Sequence, residues 1–313
     1  MIIFEAAQSV LSLAIIIMIG YFLASKGWFD EKTNKLFAKL VTNVSLPFLM
    51  ISNFVANINK EQLGQISFGL VRPFTSMILS YIVSLMFTRL LKIKKGRQGL
   101  FQVMFFVSNT MFMGLPINNA LYGEYSIPYV MLYYISNTVI FWTLGTYCFQ
   151  KDDISNAKRS FLQMLKKILS PPLIGIIIGF FLVTLEIQLP KFIMDTSRYL
   201  GNMTTPISML FIGITIHSVN FKDMRLTKDM LAVIFGRFFV SPLIALLVCY
   251  LMPVPVLMRN VFVIQASMPV MTQVAILSKA YNSDDKYAAV MVSMTTLLSI
   301  IFVPVYAAVL SRI

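Results

Sequence analysis

Apolar stretches of about 20 residues alternate with short polar turns along nearly the whole chain, a pattern that predicts membrane-spanning helices. A helix of that length crosses the ~30 Å hydrocarbon layer of a bilayer with its backbone polar groups satisfied internally. We therefore expect an all-α polytopic membrane protein with ten spans. We place them at about residues 4–25, 35–57, 66–91, 98–121, 127–149, 168–186, 192–218, 229–252, 256–280 and 286–311.

The composition supports this prediction. The chain has 313 residues, of which 58% are hydrophobic and 12% charged, and its mean hydropathy is +0.78. A soluble globule of this size exposes too much surface to be so apolar. The first span lacks a basic leader and a small-residue cleavage site, so we expect it to be a mature helix. The two cysteines, Cys148 and Cys249, fall inside or at the ends of spans, which favours a packing role.

The net charge of +13 carries information about topology. Most Lys and Arg residues collect in alternate loops, around residues 26–39, 89–97, 151–167, 222–228 and 279–286. By the positive-inside rule these loops are cytoplasmic, so both termini face outward in the cytoplasmic (cell) membrane. The basic excess is therefore a topology signal, with some attraction to anionic lipid as a side effect. The expected partner is the lipid bilayer, and we expect no nucleic acid partner.

Three landmarks recur in the same order in the two halves of the chain. The segments NVSLP (43–47) and NMTTP (202–206) each carry Asn four residues before Pro, and GLP (114–116) corresponds to SMP (267–269). Arg72 near the start of the third span corresponds to Arg237 in the eighth. Because each half contains an odd number of spans, the second copy enters the membrane from the opposite side. We therefore predict a 5+5 inverted repeat, with halves at 1–150 and 168–313 joined by a basic linker at 151–167.

Pro116 and Pro269 predict helix breaks near mid-membrane in spans four and nine. Two broken helices at equivalent positions of inverted halves can cross and direct their N-terminal ends toward an anion. The alternative is that proline and glycine only kink packed helices. The predicted substrate-binding residues are Asn109, Gly114, Pro116, Asn118, Asn119, Pro269, Gln273 and Asn137.

Several segments resemble those of the auxin efflux carriers, a family of plant exporters and bacterial organic-acid permeases. They are NTMFMGLPI, LYGEYS, ISNTVIFWTLG, TTPISMLFIGITI and ASMPVMTQVAILSKAYNSDD. The resemblance implies a scaffold at 1–57 and 168–218 and a transport domain at 66–149 and 229–311. It also implies an elevator-type motion, a homodimer through the scaffold, and substrate bound where spans four and nine cross. Asn109, Gly114, Pro116 and Pro269 are the residues that match the family's motif.

Carboxylates that could carry a coupling ion are scarce inside the spans. Glu5, Glu186, Asp195 and His217 lie near span ends, where a solvated or packing role is favoured. We therefore hypothesise potential-driven uniport of a small organic anion. The alternatives are a proton- or sodium-coupled symporter of dicarboxylates such as malate or malonate, and an anion channel.

Arg72 and Arg237 raise a separate question about the substrate. Two symmetry-related arginines could clamp a dicarboxylate, but a position near opposite interfaces favours snorkelling to headgroups or anchoring of each helix. A single histidine and isolated cysteines offer no enzymatic or metal site, so we expect neither catalysis nor a cofactor.

Overall fold

A computed structural model describes residues 2–60, 64, 68–152, 168–218 and 226–312, without the side chains of residues 2–7, 9, 10 and 280. These residues are overwhelmingly helical, and their one β-type pairing is an isolated bridge between Ser108 and Val270. The helices are α1 Ile2–Ser25, α2 Glu31–Asn57, α3 Val71–Leu90, α4 Gln98–Phe106, α5 Leu115–Tyr122, α6 Glu124–Asp152, α7 Pro171–Thr184, α8 Lys191–His217, α9 Lys228–Leu251, α10 Val256–Ala266, α11 Gln273–Ala280 and α12 Asp285–Leu310.

Six of the described helices are long and apolar enough to cross a membrane, namely α2, α3, α6, α8, α9 and α12. Shorter apolar helices cover Leu11–Ser25, Pro171–Thr184 and Val256–Ala266. The all-helical, multi-pass prediction is therefore confirmed for the described residues. The ten-span inverted repeat stays a prediction, because α4, α5, α10 and α11 are each too short to cross alone. The predicted linker lies outside the described residues from position 153 onward.

Prolines widen three of the helices into π-helical turns. These turns, each ending two residues before a proline, are Val41–Ser45 before Pro47, Thr110–Gly114 before Pro116 and Gly236–Val240 before Pro242. Proline cannot donate a backbone hydrogen bond, and its ring crowds the carbonyl four residues earlier. A wider turn relieves that crowding and keeps the helix running.

The first interruption consequently lies elsewhere than predicted. The chain leaves the helix at Val107, which is extended (φ −96°, ψ 128°), and re-enters it at Thr110. The predicted break at 114–116 is therefore wrong, because the π-helical turn accommodates Pro116 at the start of α5. The second interruption separates α10 from α11 and does contain Pro269.

Glycines bring two helix pairs into close backbone contact. A Cβ atom at Gly20 or Gly213 would overlap the backbone of the other helix in the α1–α8 pair. A Cβ atom at Gly175 of α7 would likewise overlap the backbone of Pro47 in α2. Small residues allow such approach in a bilayer, where dispersion contacts replace a hydrophobic driving force between helices. The four helices α1, α2, α7 and α8 thus pack as two tight pairs.

The described parts of three basic loops, at residues 89–97, 226–229 and 279–286, meet at one end of the protein, which we call the basic end. Arg97 forms salt bridges there with Asp229, at 2.8 Å, and with Asp284. At the other end, Lys60 pairs with Glu186 at 3.0 Å. Loops at alternate positions in the sequence therefore share an end, as the charge pattern predicts. The side of the membrane that this end faces stays a prediction.

We predict that Gly213→Val lowers the unfolding free energy of the detergent-purified protein by about 1–3 kcal/mol or more, because valine would collide with the backbone of α1. Thermal melting of the variant measures this loss. Gly64→Val is the control, since nothing lies within 4 Å of the Cβ position at Gly64. Equal melting temperatures for the two variants would contradict the packing described for α1 and α8.

Candidate functional site

The two helix interruptions lie directly against each other. The backbone N–H of Asn109 donates to the carbonyl oxygen of Pro269 at 2.8 Å, and Ser108 pairs with Val270 in the antiparallel bridge. Ser108 and Val270 are both fully buried. Backbone groups without an intrahelical partner are costly inside a membrane, so each interruption supplies hydrogen bonds that the other lacks.

Side chains from α6 and α12 complete the pairing. Asn137 of α6 accepts from the Ser108 N–H at 3.2 Å and donates to the Ser108 carbonyl at 3.1 Å. Thr295 of α12 accepts from the Val270 N–H at 3.1 Å. One helix of each half therefore holds the interruption of its own half in place.

Arg237 of α9 binds the C-terminal ends of α4 and α10, the helices that precede the two interruptions. Its side chain is 0% exposed, and it donates to the carbonyls of Phe105 at 3.0 Å and Ala266 at 2.6 Å. Phe105 and Ala266 lie at the C-terminal ends of α4 and α10, where the helix dipole concentrates partial negative charge. Ser241, one turn further along α9, also donates to the Phe105 carbonyl at 3.0 Å. A buried cation thus joins the two helix ends and balances their charge.

Arg72 and Arg237 are not equivalent in their contacts. Arg72 is partly exposed and donates to the carbonyls of Met252 and Pro253 after α9. The interfacial snorkelling expected for Arg237 is wrong, because its guanidinium is enclosed by helix ends. We call the two interruptions, residues 107–109 and 267–272, the paired segments. Neither arginine lines the 90 Å³ cavity that lies beside them, so the geometry does not favour the dicarboxylate clamp.

A cavity of about 90 Å³ lies beside the paired segments, enough for several water-sized groups. The residues at the N-terminal starts of two helices line it: Asn109 and Thr110 ahead of α5, and Thr272 and Gln273 at α11. The Asn109 side-chain amide donates to the Thr272 hydroxyl at 3.2 Å. The remaining polar lining comes from Thr42, Tyr134, Thr138, Trp142 and Ser170. Among the described residues, the lining contains polar and apolar side chains but no charged one.

Three π-helical turns meet at this cavity. Thr42 belongs to Val41–Ser45 in α2, Thr110 to Thr110–Gly114 ahead of α5, and Trp142 to a further π-helical turn, Phe141–Gly145 in α6, which no proline follows two residues later. Such turns are frequent at functional sites, because the widened helix displaces side chains and leaves carbonyls less tightly paired. The convergence of the three turns distinguishes this cavity from the others in the described part of the chain.

The structure separates the predicted site residues into three groups. Asn109 and Gln273 line the cavity, whereas Asn137 and Pro269 hold the paired segments. The remaining four are absent from the lining. Gly114 packs against Gln265, Asn118 donates to the Gly114 carbonyl at 2.7 Å, and Pro116 and Asn119 lie further along α5.

Sequence reasoning missed the contributions of Arg237, Thr272 and Thr295. Arg237 had a recognisable signal, since a lone arginine well inside an apolar span must find internal acceptors. Thr272 had a weaker signal, since it lies three residues after Pro269 and immediately before the first residue of α11. Thr295 offered no comparable signal, because threonines are common in α12 and only the packing places this one opposite Val270.

A larger cavity of about 760 Å³ opens at the basic end. Arg97, Thr227, Asp284 and Thr215 are among the residues around it. Thr272 lines both cavities, so the small cavity beside the paired segments adjoins the one that reaches the basic end.

Comparison with known proteins identifies relatives along the whole chain. Residues 5–307 match a family described as "Membrane transport protein". An uncharacterized transporter of Methanocaldococcus jannaschii is 25% identical over 305 residues, which cover 96% of this chain and 97% of the relative. An uncharacterized transporter of Methanothermobacter thermautotrophicus is 26% identical over 316 residues, which cover 99% of this chain and all of the relative.

We predict that Arg237→Met strongly lowers the melting temperature, because the buried Ala266 carbonyl loses its Arg237 donor, at about 1–3 kcal/mol, and the Phe105 carbonyl keeps only the hydrogen bond from Ser241. Arg237→Lys, which keeps the charge but loses the forked geometry, should lie between that variant and the unmodified protein. Arg72→Met is the matched control and should cost less, because Arg72 is partly exposed. A smaller loss for Arg237→Met than for Arg72→Met would refute the structural role of Arg237.

Proposed function

Because the chain belongs to the membrane transport protein family, which includes the auxin efflux carriers, we propose that it carries small organic anions, carboxylates above all, across the cytoplasmic membrane. The observation that carries this proposal is the segregation of helix ends at the paired segments. The start of the π-helical turn Thr110–Gly114, which continues into α5, and the start of α11 line the cavity, whereas Arg237 binds the C-terminal ends of α4 and α10.

Electrostatics connects that arrangement to an anion. Helix N-termini carry partial positive charge and present backbone N–H groups, so they favour carboxylates and phosphates. The opposing negative ends are balanced by a full positive charge on Arg237. The sum of these charges near the cavity is positive, although no charged side chain among the described residues lines it. Hydroxyl and amide groups such as those of Thr272 and Asn109 add donors at the same place.

An elevator-type mechanism fits the way the cavity is built. In this proposal α4 with α5 and α10 with α11 form spans four and nine of the 5+5 inverted repeat. The glycine-packed helices α1, α2, α7 and α8 form the scaffold, and the remaining helices form the transport domain. Thr42 of α2 and Pro172 of α7 line the cavity from the scaffold side, and Asn109 and Thr272 from the transport side. The substrate would then sit between the two units and travel with one of them. The proposed homodimer would form through the scaffold helices.

Thr272 lines both the small cavity beside the paired segments and the larger cavity at the basic end, which supports a cytoplasm-facing conformation. The larger cavity opens at the basic end, which the positive-inside rule assigns to the cytoplasm. A substrate entering there would meet Arg97 and Lys286 before it reached Thr272. Arg97 is paired there with Asp229 and Asp284, so Lys286 and the neighbouring basic loop residues would supply the attraction for anions on the cytoplasmic side.

Potential-driven uniport remains the favoured energetics. The carboxylate that is buried among the described side chains belongs to Asp152, near the basic end, where it accepts from the Leu100 N–H at 2.9 Å. That carboxylate binds the N-terminal end of α4, whereas the first paired segment follows the C-terminal end of the same helix. An anion driven by the membrane potential gains ~2.3 kcal/mol per charge per 100 mV. The alternatives are coupled symport of a dicarboxylate and an anion channel.

We predict that malonate or another small carboxylate stabilises the detergent-purified protein against thermal unfolding, by ~2.7 kcal/mol at a hundred times its Kd. Asn109→Ala should abolish this shift, because it removes a cavity donor, while Asn119→Ala should retain it. The panel includes malate, indole-3-acetate and the uncharged diamide malonamide. Stabilisation by malonamide and by no carboxylate would refute an anion site.

We also predict saturable uptake of the stabilising carboxylate into proteoliposomes under a potassium diffusion potential that is positive inside the vesicle. Accumulation above the outside concentration should stop when the potential is collapsed, and uptake should not need sodium or a pH gradient. A strict requirement for either ion gradient would replace uniport with symport. Flux that never saturates would instead indicate a channel.

A further inference from the structure

A separate polar cavity lies at the basic end, among the C-terminal end of α3, the N-terminal end of α4 and the C-terminal end of α6. Its volume is about 560 Å³. Four basic residues line it, namely Arg89, Lys92, Lys95 and Lys151. The acidic residue in the lining, Asp152, is committed to the backbone at the start of α4. The cavity therefore has a strong excess of positive charge.

A buried glutamine at this cavity has an unused acceptor. Gln102 is 5% exposed, and its side-chain amide nitrogen donates to the Thr88 hydroxyl at 3.2 Å. Thr88 directs its own hydroxyl hydrogen to the Ser84 carbonyl at 2.7 Å, which fixes the orientation of the glutamine amide. The Gln102 Oε1 atom has no hydrogen-bond partner among the described residues. A buried acceptor without a donor is costly, so a ligand that brings a hydroxyl group would relieve the cost.

Another face of α3, the helix whose C-terminal end lines the cavity, is suited to acyl chains. Ile82, Met86 and Leu90 follow one another at intervals of four residues on α3, so they lie on one helix face. They are 48%, 57% and 74% exposed, respectively. This apolar stripe runs toward the end of α3 where Arg89 and Lys92 line the cavity. The site is thus polar and cationic at one end and apolar along the adjoining helix.

We propose that this cavity binds the headgroup of an anionic phospholipid that carries hydroxyl groups, of the phosphatidylglycerol class. The phosphate would lie among the four basic side chains, a headgroup hydroxyl would donate to Gln102 Oε1, and an acyl chain would follow the α3 stripe. Basic pockets between transmembrane helices on the cytoplasmic side are suited to anionic headgroups. The proposal stands independently of what the protein transports.

The test uses the full chain in nanodiscs of phosphatidylcholine with one part in five of phosphatidylglycerol, phosphatidic acid or phosphatidylethanolamine. Native mass spectrometry counts the retained lipids, and thermal melting measures stabilisation. We expect preferential retention of phosphatidylglycerol and a higher melting temperature with it. The triple variant Lys92→Gln/Lys95→Gln/Lys151→Gln should lose both effects. The matched control Lys26→Gln/Lys32→Gln/Lys39→Gln removes the same charge from other loops and should keep them.

A second variant tests the hydroxyl contact. Gln102→Leu should reduce retention of phosphatidylglycerol by about threefold to tenfold. It should not change retention of phosphatidic acid, whose headgroup lacks the glycerol hydroxyls. Equal losses in the two triple variants would overturn the site in favour of general surface attraction. Stabilisation by free glycerol 3-phosphate in detergent, without any by lipid, would overturn the lipid source and indicate a cytosolic phosphate compound.

Discussion

The hydrogen bonds from Arg237 to the Phe105 and Ala266 carbonyls are the constraint on which the centre of this protein depends. Two helices from different halves of the chain end beside each other in a buried region, and their C-terminal dipoles repel. A buried guanidinium removes that repulsion and satisfies both carbonyls with one forked group, a geometry that lysine cannot reproduce. With the two ends fixed, the following segments come close enough for the Asn109 N–H to bond the Pro269 carbonyl.

This arrangement also determines the chemistry of the neighbouring cavity. The helix ends that remain available are the N-terminal ones, so the cavity presents donors and partial positive charge without a lysine or arginine in its described lining. The described lining thus offers hydroxyl groups, amide groups and helix starts in place of a point charge. The close glycine contacts between α1 and α8, and between α7 and α2, supply a rigid surface against which the site is formed.

The sequence predicted the helical, multi-pass architecture well, because an apolar run of about 20 residues is the length that a membrane-spanning helix requires. The gathering of the basic loops at one end followed from charge alone. Local rules failed at Pro116, where a π-helical turn absorbed the proline and the interruption formed upstream at Val107–Asn109. They also grouped Asn109 with Asn118 and Asn119, although neither of the latter two lines the cavity. The roles of Arg237 and Thr295 depend on contacts across more than a hundred residues or between packed helices, which no local pattern contains.

The most direct test of this account is an electron cryomicroscopy map of the protein saturated with malonate. The account predicts density for one carboxylate between Asn109, Thr110 and Thr272, at the N-terminal starts of α5 and α11, with Arg237 still bound to the two carbonyls. Malonate density coordinated by the Arg237 guanidinium, or density only among Arg97 and Lys286 at the basic end, would contradict it.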